Sequence, residues 1–137
     1  TYTIAIADED GSVGSTSVAV SVYQSFSPPT ISASTSTSSV GTEEDFLVSI
    51  LAIKGTATLS SFEVKENGQT IQDLARLEIS GISISSNPQP LPSQSSDEFS
   101  AVVRITAPSV AGEYKYAFTI KDENGLSREI SLTIPVQ

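Results

Sequence analysis

The sequence predicts an all-β fold, an antiparallel sandwich of two sheets, and three observations lead to that prediction. Apolar and polar residues alternate with a period of two along several short segments, as they do in strands that bury one face. Gly, Pro, Asn and Asp separate these segments at the short intervals typical of turns. Residues 2–22 repeat without a gap as residues 116–136, at an offset of 114 residues that is close to the size of one sandwich domain.

The repeated segment has the pattern of a β-hairpin in both copies. Alternating apolar residues lie on either side of a turn, which contains Asp10-Gly11 in the first copy and Asn124-Gly125 in the second. Gly at this place supplies the positive φ that a tight hairpin turn requires. The identical pairs are Tyr2 and Tyr116, Ile6 and Ile120, Asp8 and Asp122, Glu9 and Glu123, Gly11 and Gly125, Ser17 and Ser131, and Val22 and Val136.

A proline pair marks the boundary between the first hairpin and the rest of the chain. Pro28 and Pro29 have no amide hydrogen, so neither can continue a strand ladder. We therefore expect residues 1–24 to be the closing hairpin of a preceding similar repeat, residues 25–29 to be a linker, and residues 30–137 to be one complete sandwich domain. A lone hairpin is marginally stable in water, so the first hairpin is expected to pack on this domain, on a second copy of the chain or on another part of the protein.

Residues 30–137 contain seven segments with strand character, the number found in immunoglobulin-like sandwiches. Asn67-Gly68 predicts a hairpin turn after the third of them, and a bulge or a bend is expected at Gly81, where the apolar alternation changes phase. The Ser- and Pro-rich stretch 85–96 is expected to be an exposed loop. The predicted strands are Thr30–Thr35, Phe46–Ile53, Ser60–Glu66, Arg76–Ile84, Glu98–Thr106, Glu113–Asp122 and Ser127–Val136.

Most aromatic residues stand at strand positions that the alternation turns inward, where large rings supply core area. Tyr114 or Tyr116 is also placed to donate a corner-type hydrogen bond near the turn at 108–112. Tyr23 and Phe26 differ because they flank the linker, and we take them as candidate exposed aromatics. They suit either a plug between domains or the binding of a partner. The predicted inward set is Tyr2, Phe46, Phe62, Phe99, Tyr114, Tyr116 and Phe118.

Composition excludes several classes of partner and reaction. The net charge is −9 and the seven Lys and Arg residues are scattered, so no basic patch is available for a nucleic acid or an anionic membrane surface. No apolar run approaches the roughly 20 residues of a membrane-spanning helix, and no membrane insertion by this segment is expected. The chain contains no Cys, which excludes disulfides and thiolate sites and favours a bacterial origin for an extracellular domain.

An enzyme is not expected. The chain has neither His nor Cys, the commonest general base and the strongest nucleophile, and it contains no nucleophile elbow, phosphate loop or dinucleotide fingerprint. Carboxylates are adjacent at 43–45 and 97–98, but sequence neighbours on a strand point to opposite faces instead of flanking one substrate.

Calcium is the one cofactor with any support in the sequence, and none is expected to be bound. Its candidate ligands are Asp8 and Asp10 in the first hairpin turn and Asp122 and Asn124 in the second. Calcium takes about six to eight oxygen ligands, more than one short turn supplies, so a second acidic loop such as 43–45 would have to converge on the turn. The alternative is that Asp and Asn cap the turn through backbone amides.

The closing segment resembles a known class of bacterial repeats. Residues 112–126 read GEYKYAFTIKDENGL, and the alternating SLTIPV follows at 131–136. A Tyr-bearing strand, an Asp-x-x-Gly turn and an alternating Thr/Val strand resemble the closing hairpin of immunoglobulin-like and PKD-like repeats in bacterial surface proteins and lipoproteins. The resemblance covers residues 1–24 and 112–137. It implies a spacer or adhesive module in a tandem array, and it specifies no ligand.

Together these observations predict a non-catalytic spacer or scaffold module of a secreted or cell-surface bacterial protein, located outside the cell at the envelope. Because the chain starts at Thr1 without a signal peptide, we expect a processed protein or an excised segment. The expected partners are neighbouring domains of the same protein, with self-association through the first hairpin as a further option. The alternative is an adhesive module that binds a protein or a glycan through loops such as 85–96, since sandwich loops commonly carry recognition.

Overall fold

A computed structural model describes the backbone of residues 2–7 and 13–18 and the complete residues 25–137. The first two strands, β1 (Tyr2–Ala7) and β2 (Val13–Val18), pair in antiparallel fashion. The strands from residue 30 onward form two antiparallel sheets. The predicted all-β class is therefore confirmed.

One sheet of the sandwich has four strands in the spatial order β3-β4-β9-β7. Its central strand β4 reads DFLVSILAI and alternates strictly between exposed and buried residues, as the period-two pattern predicts. The neighbouring strand β9 alternates in the same way through most of its length. The bounds are β3 (Thr30–Ser34), β4 (Asp45–Ile53), β7 (Leu77–Ile79) and β9 (Glu98–Thr106).

The other sheet has the order β11-β10-β5-β6, and the short strand β8 also pairs with β5. The two sheets thus correspond to the ABED and GFC arrangement of immunoglobulin-like sandwiches, with β6 added beside the third strand of the second sheet. Val40 forms a parallel bridge with Val136, so the chain crosses from the first sheet to the edge of the second. The bounds are β5 (Leu59–Glu66), β6 (Gln69–Thr70), β8 (Gln89–Pro90), β10 (Gly112–Asp122) and β11 (Ser127–Val136).

The core lies between the two sheets and is built from the residues that the alternation turns inward. Phe46 contacts Tyr116 edge to face at 5.1 Å between ring centroids, and Phe62 lies 5.0 Å from Phe99. Each of these pairs joins one sheet to the other. The inward set predicted within residues 25–137 is confirmed, with Tyr114 half-buried and the other aromatics of that set buried.

The outer edge of β5 is covered along nearly its whole length by three short segments. Lys65 and Glu66 pair with β6 after the Asn67-Gly68 turn, where both turn residues have positive φ, as the hairpin prediction required. Ser61 and Phe62 pair with β8. Between these two short strands, the Asn87 amide donates to the Val64 carbonyl at 2.8 Å and accepts from its N–H at 3.0 Å.

The fourth predicted strand is wrong beyond Ile79. The strand covers only Leu77–Ile79, after a single turn of 3-10 helix at Leu74–Arg76. The chain then reverses at Gly81, which has a φ of +77°, and Ile82 N donates back to the Ile79 carbonyl. The predicted bend at Gly81 is therefore confirmed, but it ends the strand instead of bulging it, because the reversal places residues 82–84 outside the ladder.

The prediction of an exposed loop at 85–96 is confirmed only in part, because six of the twelve residues are exposed but the segment contains ordered structure. Gln89 is buried, and its side-chain carbonyl accepts the amides of Ser85 and Ser86. The residue pair Gln89–Pro90 is strand β8, and a short 3-10 turn covers Ser93–Ser95. A sequence rich in Ser and Pro forms ordered structure here because Asn87 and Gln89 supply amide groups that pair with backbone.

The two hairpins have the same register. Tyr2 pairs with Val18 and Tyr116 pairs with Leu132, and every later pair of the first hairpin keeps the offset of 114 residues in the second. The pairing therefore follows the sequence repeat residue by residue. That residues 1–24 belong to a preceding repeat stays a prediction.

The chain enters and leaves the sandwich at opposite ends. We call the linker end the one where Thr30 pairs with Ile53 and β11 begins at Ser127. The corner end is the one where Val40 bonds to Pro135 and Gln137. The ten residues of β11 run from one end to the other, a length of about 33 Å at the usual rise per residue.

Candidate functional site

The linker is part of the sandwich from Ser27 onward. Ser27 N donates to Thr56 Oγ1 at 2.7 Å, and Thr56 N donates to the Ser27 carbonyl at 3.1 Å. Gly55 allows this close approach, since a Cβ added there would clash with the Ser27 and Pro28 carbonyl oxygens. Pro29 is fully buried. The loop Lys54–Thr56, named here the clamp, therefore fixes residues 27–29.

Phe26 lies directly before the clamped residues, and its side chain is 51% exposed. This exposure agrees with the sequence interpretation of Phe26, whereas Tyr23 lies outside the described residues. A groove of about 400 Å³ lies beside the linker, between the first strand of one sheet and the last strand of the other. Its lining residues are Pro28, Pro29, Thr30, Ile31, Arg128, Glu129 and Ile130.

Asp122 caps the turn of the closing hairpin. The side chain is only 2% exposed, and Oδ1 accepts the backbone N–H groups of Asn124 and Leu126, each at 2.9 Å. Gly125 has a φ of +82°, so the turn is built in the way the capping alternative describes. Asp122 Oδ2 is buried and has no hydrogen-bond partner.

The described residues supply no second set of ligands for the calcium site considered from the sequence. Asp8 and Asp10 lie outside the described part of the chain. Within that part no three His, Cys, Asp or Glu side chains come close enough to hold a metal ion together. The acidic loop 43–45 does not join Asp122, because Asp45 bonds to Arg104 and Thr106 at the corner end. The structure thus shows Asp122 as a turn cap.

A partly buried charge network ties the two sheets together at the corner end. Arg76 bonds to both carboxylate oxygens of Glu66 on β5, at 2.5 and 3.3 Å. Its guanidinium also donates twice to the Thr106 carbonyl on β9, and Tyr116 donates to Glu66 Oε2 at 2.9 Å. The bond to Glu66 raises the pKa of Arg76. Burial, and then the bond to Glu66, raises the pKa of Tyr116 well above its usual range.

Tyr114 makes the corner bond that the sequence predicted for one of two tyrosines. Its hydroxyl donates to the Val110 carbonyl at 2.8 Å, at the start of β10. This is the tyrosine corner of immunoglobulin-like sandwiches. Tyr116 faces the charge network instead, so the two residues have separate structural roles.

The outer face of the four-stranded sheet carries an apolar stripe. Six large apolar side chains are exposed among residues 25–137, and four of them lie on this face. No charged residue interrupts the middle of the stripe, where Ser32 and Ser100 lie beside Leu51. Charged residues stand only at its two ends. The stripe consists of Leu47, Leu51 and Ile53 on β4 and Val102 on β9.

The loops at 81–94 surround an open pocket of about 430 Å³. Its lining is formed by polar, aliphatic, glycine and proline residues and contains no aromatic ring, which glycan platforms usually provide. The lining residues are Gly81, Ile82, Ser83, Gln89, Pro90, Leu91, Pro92 and Gln94.

Sequence reasoning missed the clamp and the Arg76 network. Gly55 has an ordinary backbone conformation, so no turn signal singles it out, and its importance comes from a segment 27 residues earlier in the chain. Arg76 was taken as the first residue of a strand. Only the folded chain places it beside Glu66 and Thr106.

No protein-family model and no curated protein matches the sequence. Among solved structures, the fibronectin(III)-like modules of CbhA from Clostridium thermocellum align with a TM-score of 0.51 and 14% identity, over 98% of this chain and 60% of theirs. A family 123 glycoside hydrolase from Clostridium perfringens aligns with a TM-score of 0.53 and 11% identity, over 81% of this chain and 27% of its own. A lipoprotein from Bacteroides thetaiotaomicron aligns with a TM-score of 0.48 and 13% identity, over 84% of each chain.

The two alignments with a TM-score above 0.5 show the fold alone, an immunoglobulin-like β-sandwich. This chain spans only 27% and 60% of the first two structures. In the described residues, no helix has the length and apolar character needed to cross a membrane.

Proposed function

We propose that the chain is a non-catalytic spacer module of a tandem array in a secreted or cell-surface bacterial protein. The observation that carries the proposal is that the chain enters and leaves the sandwich at opposite ends. A module with this geometry adds its full length to an extended protein, about 33 Å or more by the length of β11. Modules whose termini lie close together would project sideways from the array and add little to its length.

The matching hairpins support a tandem array. Two segments of one chain that share both sequence pattern and strand register at a fixed offset are the mark of a repeated structural unit. The first hairpin is then the last two strands of a preceding module, and residues 25–29 join that module to residues 30–137. The alignment with the fibronectin(III)-like modules of CbhA over 98% of this chain agrees with modular construction.

The PKD-like assignment and the position at the bacterial envelope rest on the sequence resemblance and on composition. A surface rich in Ser and Thr, with a net charge of −9 and no Cys, suits a soluble module in an oxidising environment. A non-catalytic role is supported by the way the carboxylates are used. Asp122 caps a turn, Glu66 binds Arg76, and Asp45 binds Arg104.

The array is tested on the natural protein. The reading frame around this segment is sequenced, and small-angle scattering is measured on proteins containing one, two and three consecutive repeats. We expect flanking copies of the 114-residue unit and a maximum dimension that grows by about 35 to 45 Å per module. Neighbours without the hairpin pattern, or a dimension that stays constant as modules are added, would contradict the spacer function.

An adhesive module is the second candidate, and the apolar stripe is the observation that favours it. Exposed apolar surface rimmed by polar residues is typical of protein contact sites. The test measures binding of the protein to immobilised extracellular proteins and glycans, with the Leu47→Ser and Leu51→Ser double variant for comparison. Binding that this variant loses while its melting temperature is kept would favour adhesion over a spacer.

A further inference from the structure

We propose that the clamp and Phe26 form the docking surface for the preceding module of the same protein, and that they set the direction in which that module leaves the sandwich. The inference rests on the proposed array and goes beyond it, since it assigns the residues that hold neighbouring modules at a fixed angle.

The length of free linker is short. In the repeat alignment Val22 corresponds to Val136, the last residue of β11, so the sequence predicts that the closing strand of the preceding module ends at Val22. The clamp fixes the chain again at Ser27. Four residues separate these points, and a fully extended chain covers about 18 Å over that distance. The two modules are therefore close enough to contact each other.

Exposed apolar residues occur at both ends of the module. Apart from the stripe, the two large apolar side chains exposed among residues 25–137 are Phe26 at the linker end and Val110 at the corner end, which is 66% exposed. Because the array joins the linker end of one module to the corner end of the preceding one, Phe26 faces the preceding module's counterpart of the turn at 108–112. Burying the exposed half of the Phe26 ring against that turn would favour one orientation of the two modules.

Gly55 and Thr56 are the residues that direct the linker toward this contact. Two hydrogen bonds link Ser27 to Thr56, and the Gly55 backbone leaves room for the Ser27 and Pro28 carbonyl groups. A side chain at position 55 would push the linker outward. Removal of the Thr56 hydroxyl would leave the Ser27 N–H without its acceptor. Either change lengthens the freely moving linker, and the angle between modules then varies more widely.

The experiment uses the natural two-module segment that ends at residue 137, with one spin label in each module. The printed chain has no Cys, so Ser15→Cys and Ser49→Cys provide single attachment points. Ser49 is exposed, and position 15 corresponds to Glu129, which is exposed too. The variants are Gly55→Ala, Thr56→Val and Phe26→Ser. The matched control is Thr42→Val, which removes a hydroxyl from a loop at the corner end.

We expect a narrow distance distribution in the parent protein and the control, and a distribution about twofold wider in each of the three variants, as a longer flexible linker predicts. Amide exchange in the 137-residue chain gives a second readout. The Ser27 amide should exchange about tenfold faster in Thr56→Val, because its protecting bond is lost, while melting temperatures change little.

The outcomes separate this inference from the spacer function. Modules that lie side by side, with a short mean distance, would overturn the array itself. Modules arranged end to end whose distance distribution is unchanged by all three variants would overturn only the docking surface. A parent distribution as wide as that of Thr56→Val would do the same.

Discussion

Backbone hydrogen bonds join the loops at both ends of the sandwich, and the corner end adds a partly buried charge network. At the corner end, side chains cross between the sheets, since Arg76 bonds to Glu66 in one sheet and to the Thr106 carbonyl in the other. At the linker end, backbone hydrogen bonds join neighbouring loops within and between the sheets. Lys54 N bonds to the Asp97 carbonyl, Leu59 N to the Ser96 carbonyl and Glu123 N to the Thr58 carbonyl, at 2.7 to 2.9 Å.

This difference predicts which substitutions change the free energy of unfolding and which change the path of the linker. A partly buried charge network cannot be cut without leaving a charge or a carbonyl unpaired, so substitutions at the corner end should lower the free energy of unfolding. Backbone bonds survive most side-chain changes. Substitutions at the linker end should therefore alter mainly the path of the linker, unless they remove a buried cap.

The largest effect is expected for Arg76→Leu. Glu66 and the Thr106 carbonyl would lose their partner in a site where the Arg76 and Glu66 side chains are 23% and 16% exposed, so the free energy of unfolding should fall by about 3 kcal/mol. Arg104→Leu is the matched control, because its partners Asp45 and Glu78 are mostly exposed, and it should cost less than about 1 kcal/mol. Urea denaturation measures both. Equal losses would show that the network at Arg76 contributes no more to stability than the exposed ion pairs of Arg104.

The next effect tests the one buried side-chain cap at the linker end. Asp122→Ala removes the acceptor of two backbone amides and should lower the free energy of unfolding by about 2 kcal/mol. Asp122→Asn keeps an oxygen in place of Oδ1 and should cost less. We also expect the melting temperature of the parent protein to be the same with and without millimolar calcium, and a rise that Asp122→Ala abolishes would instead identify Asp122 as a metal ligand.

A smaller effect is expected for the tyrosine corner. Tyr114→Phe removes the hydrogen bond to the Val110 carbonyl and leaves the ring in place, which should cost about 1 kcal/mol. Thr56→Val is the comparison at the linker end. It removes one exposed hydrogen bond and should change the melting temperature less than Tyr114→Phe does. The reverse order would contradict the distinction between the two ends.

The smallest effect is expected in the pH dependence of stability. The Thr106 hydroxyl, together with the charge of Arg104, holds the pKa of Asp45 below its ordinary value. A carboxyl whose pKa is lowered by folding stabilises fully above its unfolded pKa, about 3.9, and loses that contribution as the pH falls through the folded pKa. Asp45→Asn should therefore lower the free energy of unfolding slightly at neutral pH and leave it unchanged in acid, so that the acid side of the stability curve becomes flatter. Thermal melts between pH 2 and 7 would show this.

The elements predicted well are those whose signal is local. The strands Glu98–Thr106 and Ser127–Val136 match the prediction at both ends, since each alternates regularly and is bounded by turn residues. The Asn67-Gly68 hairpin and the Tyr114 corner follow from motifs only a few residues long. Such elements can be predicted because a few neighbouring residues are enough to fix the local backbone conformation.

The elements predicted poorly depend on partners far along the chain. The loop prediction at 85–96 is confirmed only in part because Asn87 completes the edge of a strand 23 residues earlier. The clamp could not be predicted, because the need for glycine at position 55 arises only when Ser27 and Pro28 pack against it in the folded chain. The composition of a segment predicts its local conformation. It does not predict which distant backbone groups the segment will hydrogen-bond to in the folded chain.

The covering of β5 by Asn87 and two short strands has a consequence for a protein made of many such modules. An uncovered strand offers unpaired N–H and C=O groups to any similar strand nearby. Consecutive copies tethered by short linkers meet each other at high local concentration, where sheets of adjacent copies could merge into a continuous, irreversible aggregate. By pairing with both the N–H and the carbonyl of Val64, the Asn87 amide would keep this edge of the sheet closed to an adjacent copy.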